Sequence, residues 1–532
     1  MPYTFFAKIY IKSNVSLFRE ENRKMNSASI QHLVAMIVYM AIVIGIGIFF
    51  ARRAHQDAES YFLGGRSLGP WVTAFSAEAS DMSGWLLMGL PGLAYWTGLA
   101  DAGWTAIGLA VGTYLNFLIV SKRLRRYSIK VDAFTIPDFF SNRFREKKKI
   151  LMTISSLVII IFFSVYAAQC LSTCGKLFSN LFGLSYTSMM IVSAVFVLVY
   201  TFLGGFLAES ASDFMQAIVM VVALVLILAL SVASAGGVSA VIANAESYDG
   251  FLSLFKTATP SQTEINVFGS AENYGILSIL SCLAWGLGYF GMPQVLLRFM
   301  GIRSEHELTR SRRVAIIWVV ISLSAAIFIG IVGRSVVGLD YLSNAEAENI
   351  FVDAATMFLP PVLAGFACAG VLAAAISSSD SYLLITASAV SQNIFRGIVK
   401  KDASEKQVMW CSRITLAVIT IAAMIIAWNS DSTIFAITSF AWAGLGAAFG
   451  PLILFSLFWK RTTYPAAIAG MISGGVMVFF WKLVINPLGG VWKIYCLLPA
   501  FILSSLVIVA VSLVTESPDK EITDEFEEVR AG

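Results

Sequence analysis

Ten residues, from Ser76 to Trp85, bring charged, hydroxyl and flexible residue types into a stretch that is otherwise apolar. They hold two carboxylates, three serines and a glycine. A charged side chain at mid-membrane costs roughly 2.5–3.5 kcal/mol and is retained mainly where it lines a cavity or a path. The Ser83-Gly84 pair gives a helix a place to open and to offer backbone carbonyls to an ion. The stretch therefore predicts an ion and solute site in the middle of a membrane.

A second polar patch interrupts an apolar segment at Ser377–Ser381. Hydroxyls within a helix often bond only to their own i−4 carbonyls, but five successive polar residues exceed what that needs. Small hard cations prefer oxygen ligands. Two hydroxyls from this patch, with carbonyls from the opened Ser76–Trp85 stretch, predict a Na⁺ site that needs no carboxylate ligand. Asp380 then has two readings. It either strengthens the negative field at the ion or forms a second ion site, or it makes a structural hydrogen bond.

A third polar or flexible cluster lies in Trp285–Pro293, where three glycines and a proline make a continuous helix costly. This cluster falls in the seventh predicted span, five after the span that contains Ser76–Trp85. Interrupted helices at matching positions of two five-helix halves favour inverted repeats with a site at their interface. The alternative is ordinary packing glycine, which is common in membrane helices.

The elements that position these clusters are membrane-spanning helices. Of the 532 residues, 58% are hydrophobic and only 13% are charged, whereas soluble domains carry about 25% charged residues. We predict an all-α polytopic membrane protein. With about 20 apolar residues per span, the predicted helices lie near residues 33–50, 70–95, 102–120, 151–175, 185–206, 213–236, 274–298, 314–337, 361–392, 410–428, 433–458, 464–482 and 495–515.

The distribution of charge along the chain sets the predicted orientation. With thirteen spans the termini lie on opposite sides, and an outside N-terminus places most lysines and arginines in cytoplasmic loops, as the positive-inside rule requires. Residues 1–31 form a polar tail whose basic residues fall on the wrong side, so we interpret Met25 as the translation start. Residues 32–515 form the transmembrane domain. The acidic residues 516–532 are expected to be a disordered cytoplasmic tail.

Several function classes are disfavoured by the sequence. The six cysteines fall almost entirely in apolar spans and the three histidines flank spans, so neither predicts a disulfide framework, a metal site or a redox site. No phosphate-binding Gly-x-x-x-x-Gly-Lys-[Ser/Thr] motif and no nucleophile–base pair is present, which argues against an ATP-driven motor and against an enzyme. Nothing predicts a nucleic acid or an obligate protein partner; the expected environment is the lipid bilayer.

Five blocks of the chain resemble the sodium/solute symporter family, most closely its members that transport L-proline. The blocks are Gly64–Pro70, Ala79–Gly92, Tyr200–Ala208, Trp285–Pro293 and Ala441–Pro451. The resemblance runs from about residue 33 to 515. It implies a LeuT-like core of five-plus-five inverted repeats, with one extra N-terminal helix and two extra C-terminal helices. It also implies Na⁺-coupled uptake of L-proline across the bacterial plasma membrane, with Na⁺ as the coupling ion and no other cofactor.

Site residues follow from the same resemblance. The implied sodium ligands are the carbonyls of Ala79, Met82 and Ala374 and the hydroxyls of Ser377 and Ser378. Asp81 is implied to couple the ion. The residues implied to shape the substrate pocket are Ser83, Gly84, Trp85, Tyr166, Trp285, Tyr289 and Pro293. Proline is a zwitterion with an apolar ring, so aromatic walls and dipoles suit it better than a buried counter-charge.

Three further charged residues have two readings each. Glu209 and Asp213 lie at the inner end of the fifth and sixth spans, either in a cytoplasmic gate or as solvated loop charges. Arg66 either faces that gate or anchors the helix at the cytoplasmic interface.

Two acidic positions depart from the pattern of the L-proline transporters. Glu78 stands where they carry glycine, and Glu209 begins a stretch, through Asp213, that usually reads Val-Ser-Trp-Thr-Asp. Both leave open the exact substrate and the choice among Na⁺, Li⁺ and H⁺. The alternatives are a symporter for another small amino acid or organic solute, and a channel or sensor built on a transport fold, although a sensor should carry a cytoplasmic output domain.

Overall fold

The computed structural model describes residues 27–54, 62–203, 206–261, 267–338, 341 and 343–531, and these are predominantly helical. The α-helices, numbered in chain order, are α1 (Ser27–Ala54), α2 (Pro70–Asp81), α3 (Leu90–Thr97), α4 (Leu99–Leu115), α5 (Ser121–Lys130), α6 (Ile136–Arg143), α7 (Ile150–Phe182), α8 (Tyr186–Leu203), α9 (Phe206–Ser234), α10 (Val238–Glu246), α11 (Ile276–Leu283), α12 (Pro293–Gly301), α13 (Leu308–Val337), α14 (Asn344–Ala347), α15 (Ile350–Phe358), α16 (Pro361–Ser388), α17 (Glu405–Ile426), α18 (Ile434–Phe458), α19 (Tyr464–Phe480), α20 (Leu497–Val514) and α21 (Lys520–Ala531).

Shorter helical turns and one small sheet complete the secondary structure. The 3-10 turns are Gly64–Arg66, Ala284–Gly291, Glu305–Glu307, Asn486–Leu488 and Gly490–Lys493, and the π-helical segments are Trp85–Gly89, Asn116–Val120, Ala389–Val399 and Trp481–Ile485. Strands β1 (Lys256–Thr257) and β2 (Glu272–Asn273) pair antiparallel, with Lys256 opposite Asn273.

Among the described residues, ten helical runs are long and apolar enough to cross a membrane, and α11 with α12 makes an eleventh that bends by 44°. The chain is a multi-pass, all-helical membrane protein. Two of the thirteen predicted spans are not among these eleven. The one at 70–95 is interrupted, and α8 contains only a short apolar segment, Tyr186–Phe202. Residues 1–26, which include most of the predicted polar tail and the proposed translation start at Met25, lie outside the described residues.

Two helices form the interior of the bundle. The most apolar windows of the runs Pro361–Val399 and Ile434–Phe458 are each 83% buried, against 33% for the window of Glu405–Ile426. Helix α16 packs against α1, α7 and α9, and α18 packs against the Ala284–Gly291 turn and α7. An apolar helix surrounded by other helices can carry polar residues without exposing them to lipid. The polar run Ser377–Ser381 of α16 is therefore held away from lipid.

Glycines let the broken span at Trp285–Pro293 approach its neighbours closely. A Cβ added to Gly286 would lie 2.1 Å from the Gly108 carbonyl oxygen, and one added to Gly288 would lie 2.0 Å from the Trp442 indole nitrogen. Only glycine leaves that space free. Met292 is extended, and Pro293 starts α12, a position where its missing N–H costs no hydrogen bond. The sequence prediction that this span is interrupted is confirmed.

The prediction that residues 516–532 are disordered is wrong for the part that forms α21. Ile522, Phe526 and Val529 recur at helical spacing and are buried against the protein. The composition is acidic, but the apolar residues fall on one stripe, which an average over the segment hides.

A buried ion pair joins three elements at one end of the bundle. Lys176 of α7 donates to the Glu348 carboxylate at 2.8 Å. Glu348 also accepts the backbone N–H groups of Ile434 and Phe435, at 2.9 and 3.1 Å. A carboxylate there satisfies the open N–H groups at the start of α18 and complements the helix dipole. The pair thus connects α7, the segment after α14, and α18.

Replacing Lys176 by Met should lower the free energy of unfolding in detergent by roughly 3–5 kcal/mol, because Glu348 would stay buried without its cation. The matched control is Lys256→Met, since Lys256 lies 3.9 Å from Asp249 in an exposed pair and such pairs contribute roughly 0–1 kcal/mol. Unfolding followed by tryptophan fluorescence measures both. Equal shifts for the two variants would contradict a structural role for the buried pair.

Candidate functional site

The second predicted span breaks at the residues that the sequence singles out. Helix α2 ends at Asp81, and Met82 leaves helical geometry with φ −83° and ψ 75°. The Ser83 N–H bonds to the Asp81 carbonyl at 3.0 Å rather than completing a helical bond to the Ala79 carbonyl. The chain then continues as a π-helical segment, a feature common at functional sites. The break frees the Ala79 carbonyl in the protein interior.

The freed carbonyl meets the serine run of α16. Ser377 Oγ donates to the Ala79 carbonyl at 2.9 Å, and Ser378 Oγ does so at 3.2 Å. Ser377 Oγ also lies 3.3 Å from the Ala374 carbonyl. Four of the five oxygens of the expected sodium set therefore lie together. The fifth belongs to Met82, which is buried at the break three residues after Ala79.

This donor set suits a small hard cation, since it consists of carbonyl and hydroxyl oxygens alone. The neighbouring hydroxyl of Ser379 differs, because it bonds to the Ile376 carbonyl of its own helix at 3.1 Å. Two adjacent serines of α16 thus reach across to α2 while the third does not. That difference in direction separates the serines that fit an ion site from the one that satisfies only its own helix.

Asp81 is fully buried beside the break, and neither of its carboxylate oxygens has a hydrogen-bond partner in the described part of the chain. Its carboxylate faces the side chains of Tyr289 and Gln294. The Tyr289 hydroxyl and the Gln294 amide also have no partner among the described residues. Buried polar groups are normally satisfied, and a buried charge without a partner is costlier still. These three buried groups therefore present polar atoms that a polar or charged ligand would satisfy.

Aromatic rings line one side of the break, with Trp285 at their centre. Its ring centroid lies 6.2 Å from that of Trp85, 5.0 Å from Phe435, 6.2 Å from Trp442 and 4.9 Å from Tyr495. Tyr289 contacts Trp442 edge to face at 5.0 Å. Three of the expected pocket residues, Trp85, Trp285 and Tyr289, therefore belong to one aromatic cluster.

The other expected pocket residues have different surroundings. Ser83 donates to the Gln169 side chain at 2.7 Å. Tyr166 packs on Tyr382 with ring centroids 4.6 Å apart, and its buried hydroxyl has no partner among the described residues. Pro293 shapes the backbone as the first residue of α12. Gln169 and Tyr382 are two neighbours that sequence reasoning missed, because nothing in their own segments separates them from ordinary core residues.

A buried charge cluster lies beside Ser76, in the middle of α2, six residues before the break at Met82. Arg298 of α12 has no exposed surface and pairs with both Glu209 and Asp213 of α9, the latter at 3.1 Å. In sequence, Glu209 and Asp213 have no basic neighbour, and Arg298 follows Asp213 by 85 residues. The absence of a basic residue close to Glu209 and Asp213 in the sequence was the one signal that a basic side chain from a distant segment pairs with them.

Hydroxyl groups from two more helices complete this cluster. Ser76 of α2 donates to Asp213 at 2.7 Å and accepts from Arg298 Nε at 2.9 Å. Ser381 of α16 accepts from Arg298 Nη2 at 2.9 Å and donates to Glu209. The cluster therefore links α2, α9, α12 and α16. Asp380 is also buried in α16, so three carboxyl groups lie near a single guanidinium.

That Arg66 and Asp213 belong to one cytoplasmic gate stays a prediction, and the two side chains have different partners. Arg66 donates to the carbonyls of Met300, at 3.0 Å, and Ala133, at 2.7 Å. Asp213 pairs with Arg298 instead. Arg66 fastens the turn before α2 to the end of α12 and to the segment after α5.

The two unusual acids, Glu78 and Glu209, have unequal surroundings. Glu209 is paired with Arg298 and Ser381. Glu78 is also buried but has no ion pair in the described part of the chain, and Asp81 is the charge that acts on it most strongly; Oε2 of both acids lacks a hydrogen-bond partner there. The Glu209 departure is therefore compensated within the fold, whereas the Glu78 departure adds acid beside the break.

Comparison with known proteins decides the family. The model of the sodium:solute symporter family matches residues 61–474. Sodium/proline symporters of Staphylococcus aureus strains USA300 and JH9 are each 38% identical over 510 residues, which cover 94% of this chain and 96% of theirs. This chain belongs to the sodium:solute symporter family. It is a sodium-coupled transporter and not an enzyme.

Solved structures show the same fold at low sequence identity. A substrate-bound, outward-open Na⁺-coupled sialic acid symporter matches with a TM-score of 0.75 and 18% identity, covering 92% of this chain and 99% of that one. A nucleobase-cation-symport-1 family transporter in a closed conformation matches with a TM-score of 0.53 and 12% identity, covering 89% and 99%. The chain therefore shares the fold of these two transporters.

Gly84 is required by a close approach and offers a direct test of the break. A Cβ at Gly84 would lie 2.2 Å from Thr173 Oγ1, so Gly84→Ala should destabilise the protein by about 1–3 kcal/mol and reduce transport. Adding Thr173→Ala should restore part of both, because it removes the two nearest atoms. Gly69→Ala is the control, since a Cβ there meets nothing within 4 Å. Thermal unfolding and uptake measure the effects; no rescue by the second change would refute the contact.

Proposed function

We propose that this chain takes up L-proline together with Na⁺ across the plasma membrane, by alternating access about the break in the second span. Na⁺ moving down its gradient drives the solute inward. The observation that carries the proposal is the meeting of the Ala79 carbonyl with the Ser377 and Ser378 hydroxyls beside an unpaired, fully buried Asp81. This arrangement leaves oxygen ligands and negative charge where a cation would complete them.

The sodium ligands proposed are the carbonyls of Ala79, Met82 and Ala374 and the hydroxyls of Ser377 and Ser378. Asp81, the last residue of α2, lies in sequence between the ligands Ala79 and Met82 and couples the ion to the solute. A carboxylate that lies near the ion without ligating it strengthens the attraction for a cation in a low-dielectric interior. Ion binding would also hold α2 against α16, which links the site to the conformation of the broken span.

Proline is the substrate best supported. The Staphylococcus aureus relatives are named sodium/proline symporters, and the cluster around Trp285 offers apolar walls for a pyrrolidine ring. The polar ends of the molecule would meet the dipoles of the opened span, Tyr289 and Gln294. The proposed pocket thus comprises Ser83, Gly84, Trp85, Tyr166, Trp285, Tyr289 and Pro293. Another small amino acid or organic solute is the second candidate, favoured by the buried carboxyl of Glu78.

The proposed architecture has thirteen membrane helices in one transport domain, residues 32–515. A five-plus-five inverted repeat follows one N-terminal helix and precedes two C-terminal helices. The matched interruptions at Ser76–Trp85 and Trp285–Pro293 support that repeat. The N-terminus is placed outside and the C-terminus in the cytoplasm. On the cytoplasmic side, the Arg298 cluster with Asp213 forms the inner closure, and Arg66 braces the turn before α2.

Uptake of labelled L-proline into proteoliposomes, with and without an inward Na⁺ gradient, tests the function. We expect gradient-dependent accumulation that unlabelled L-proline blocks better than other amino acids. Replacing Na⁺ by Li⁺ or by a proton gradient identifies the coupling ion. Stronger block by another solute would make that solute the substrate. No concentrative uptake with any cation would overturn the symport proposal and favour a channel or a sensor.

Replacing both Ser377 and Ser378 by Ala should raise the Na⁺ concentration for half-maximal uptake by about 10-fold or more, because two of five oxygen ligands are lost. The maximal rate at saturating Na⁺ should fall less. Initial uptake rates over a Na⁺ series measure both values.

Ser379→Ala is the matched control for this pair. It removes a hydroxyl of the same helix that bonds only to the Ile376 carbonyl, so the Na⁺ dependence should stay close to that of the wild type. An unchanged Na⁺ dependence in the double variant would move the sodium site away from α16.

A further inference from the structure

The acidic helix α21 has an apolar stripe that packs onto a basic surface. Ile522, Phe526 and Val529 are buried. They recur at spacings of four and three residues, so they share one face of the helix. The helix would expose this stripe if it stood alone, and at twelve residues it is too short to be stable without packing. Its contacts with the transport domain therefore maintain its structure.

Acidic residues on either side of the stripe pair with basic residues of three separate segments. The pairs are Glu521 and Glu525 with Arg145, Glu528 with Lys130, and Glu527 with Lys460. The Glu525 and Glu527 pairs span 3.2 and 3.3 Å. All the basic partners are largely exposed, at 45% to 62% of the side chain. Three of these four ion pairs are therefore exposed on both partners, whereas the Glu525 side chain is only 11% exposed.

Phe526 anchors the helix between two guanidinium groups. Its ring centroid lies 4.8 Å from Arg123 Cζ and 5.6 Å from Arg143 Cζ. Arg143 has no exposed surface, and its Nη1 and Nη2 have no hydrogen-bond partner in the described part of the chain. The Arg143 guanidinium instead makes cation–π contacts with the rings of Phe526, Tyr127 and Phe144. This anchor fixes where the helix attaches.

The three attachment segments belong to different parts of the bundle. Lys130 ends α5, which continues the span of α4 and packs against α12 of the broken span. Arg145 follows α6, which packs against α7. Lys460 follows α18. Alternating access moves one part of such a bundle against another about a central site. A helix held to all three segments must detach or strain when they move relative to one another.

We infer that α21, Lys520–Ala531, is a C-terminal clamp that restrains the transport cycle and is released by rising ionic strength on the cytoplasmic side. Exposed ion pairs weaken as salt shortens the Debye length, from about 8 Å at 0.15 M to about 3 Å at 1 M. Release would free α5 and the segments at Arg145 and Lys460 to move separately, so turnover would rise. The inference rests on the proposed transport function.

Two triple variants of the full-length chain test the clamp. The first, Glu521→Gln with Glu525→Gln and Glu528→Gln, removes the acidic partners of Arg145 and Lys130. The matched control removes the same amount of charge through Glu516→Gln, Asp519→Asn and Asp524→Asn. These three residues are exposed, and their carboxylates have no ion pair among the described residues. Any effect of net charge alone would therefore appear in both variants.

Proteoliposomes are loaded with KCl from about 20 to about 500 mM at constant Na⁺ gradient and balanced osmolarity, a range over which screening changes severalfold. We expect the initial uptake rate of the wild type and of the control to rise about threefold across the series. The first variant should transport at the higher rate at every KCl concentration. A variant that keeps the wild-type salt dependence, or that transports more slowly than the wild type throughout, would overturn the clamp.

A structural readout separates this inference from the transport proposal. Spin labels are placed at Asp524 on α21 and at Lys401, both exposed, in a cysteine-free background. Their distance distribution should be narrow at low KCl and broad at high KCl, and broad throughout in the first triple variant. If no variant transports any solute, the transport proposal fails while this measurement still tests attachment. A narrow distribution at all KCl concentrations would refute release.

Discussion

The break at Met82–Gly84 depends on a constraint of the membrane interior: every backbone polar group must be satisfied by the protein or by a ligand, because lipid offers none. The Ala79 carbonyl loses its helical partner at the break, and two hydroxyls of α16 take its place. That substitution fixes α2 against α16, and it collects oxygen atoms at one point of the interior. The opened helix beside a serine-bearing helix is therefore a packing arrangement, and the oxygen atoms it collects are those of the proposed sodium site.

Charge compensation on either side of this site explains much of the remaining architecture. Arg298 holds Glu209, Asp213, Ser76 and Ser381 together, so four helices converge on one guanidinium. At another point of the bundle, Lys176 and Glu348 join α7 to the start of α18. Buried pairs of this kind add little net stability over apolar packing, but a missing partner is strongly destabilising. They fix which helices are neighbours.

The solvent-exposed contacts of α21 are of a different kind. Each ion pair there is individually weak and is screened by salt, whereas Arg298 and its partners are shielded from solvent. The buried ion pairs of this chain hold the arrangement of its helices, whereas the exposed ion pairs of α21 weaken as the salt concentration rises. The separation follows from burial alone, since the same residue types form both.

By itself, the sequence determined the two interruptions, and it named the residues that the proposed site comprises. Ser83-Gly84 and the glycines of Trp285–Pro293 predicted breaks, because these residue types make a helix costly to continue. The serines of α16 predicted oxygen ligands, because hydroxyls in an apolar helix require partners. Family membership also followed from five short blocks, and the family model and the relatives confirm it.

Only the tertiary structure decided which groups meet. The direction in which each serine points separates Ser377 and Ser378 from Ser379, and helical rotation sets that direction. Arg298 and Asp213 are 85 residues apart in sequence, so their pairing depended on how α9 and α12 pack. The stripe of α21 finds a partner only on a surface assembled from three distant segments. Sequence patterns fix what a residue can bond, whereas packing fixes which of the possible partners lies within reach.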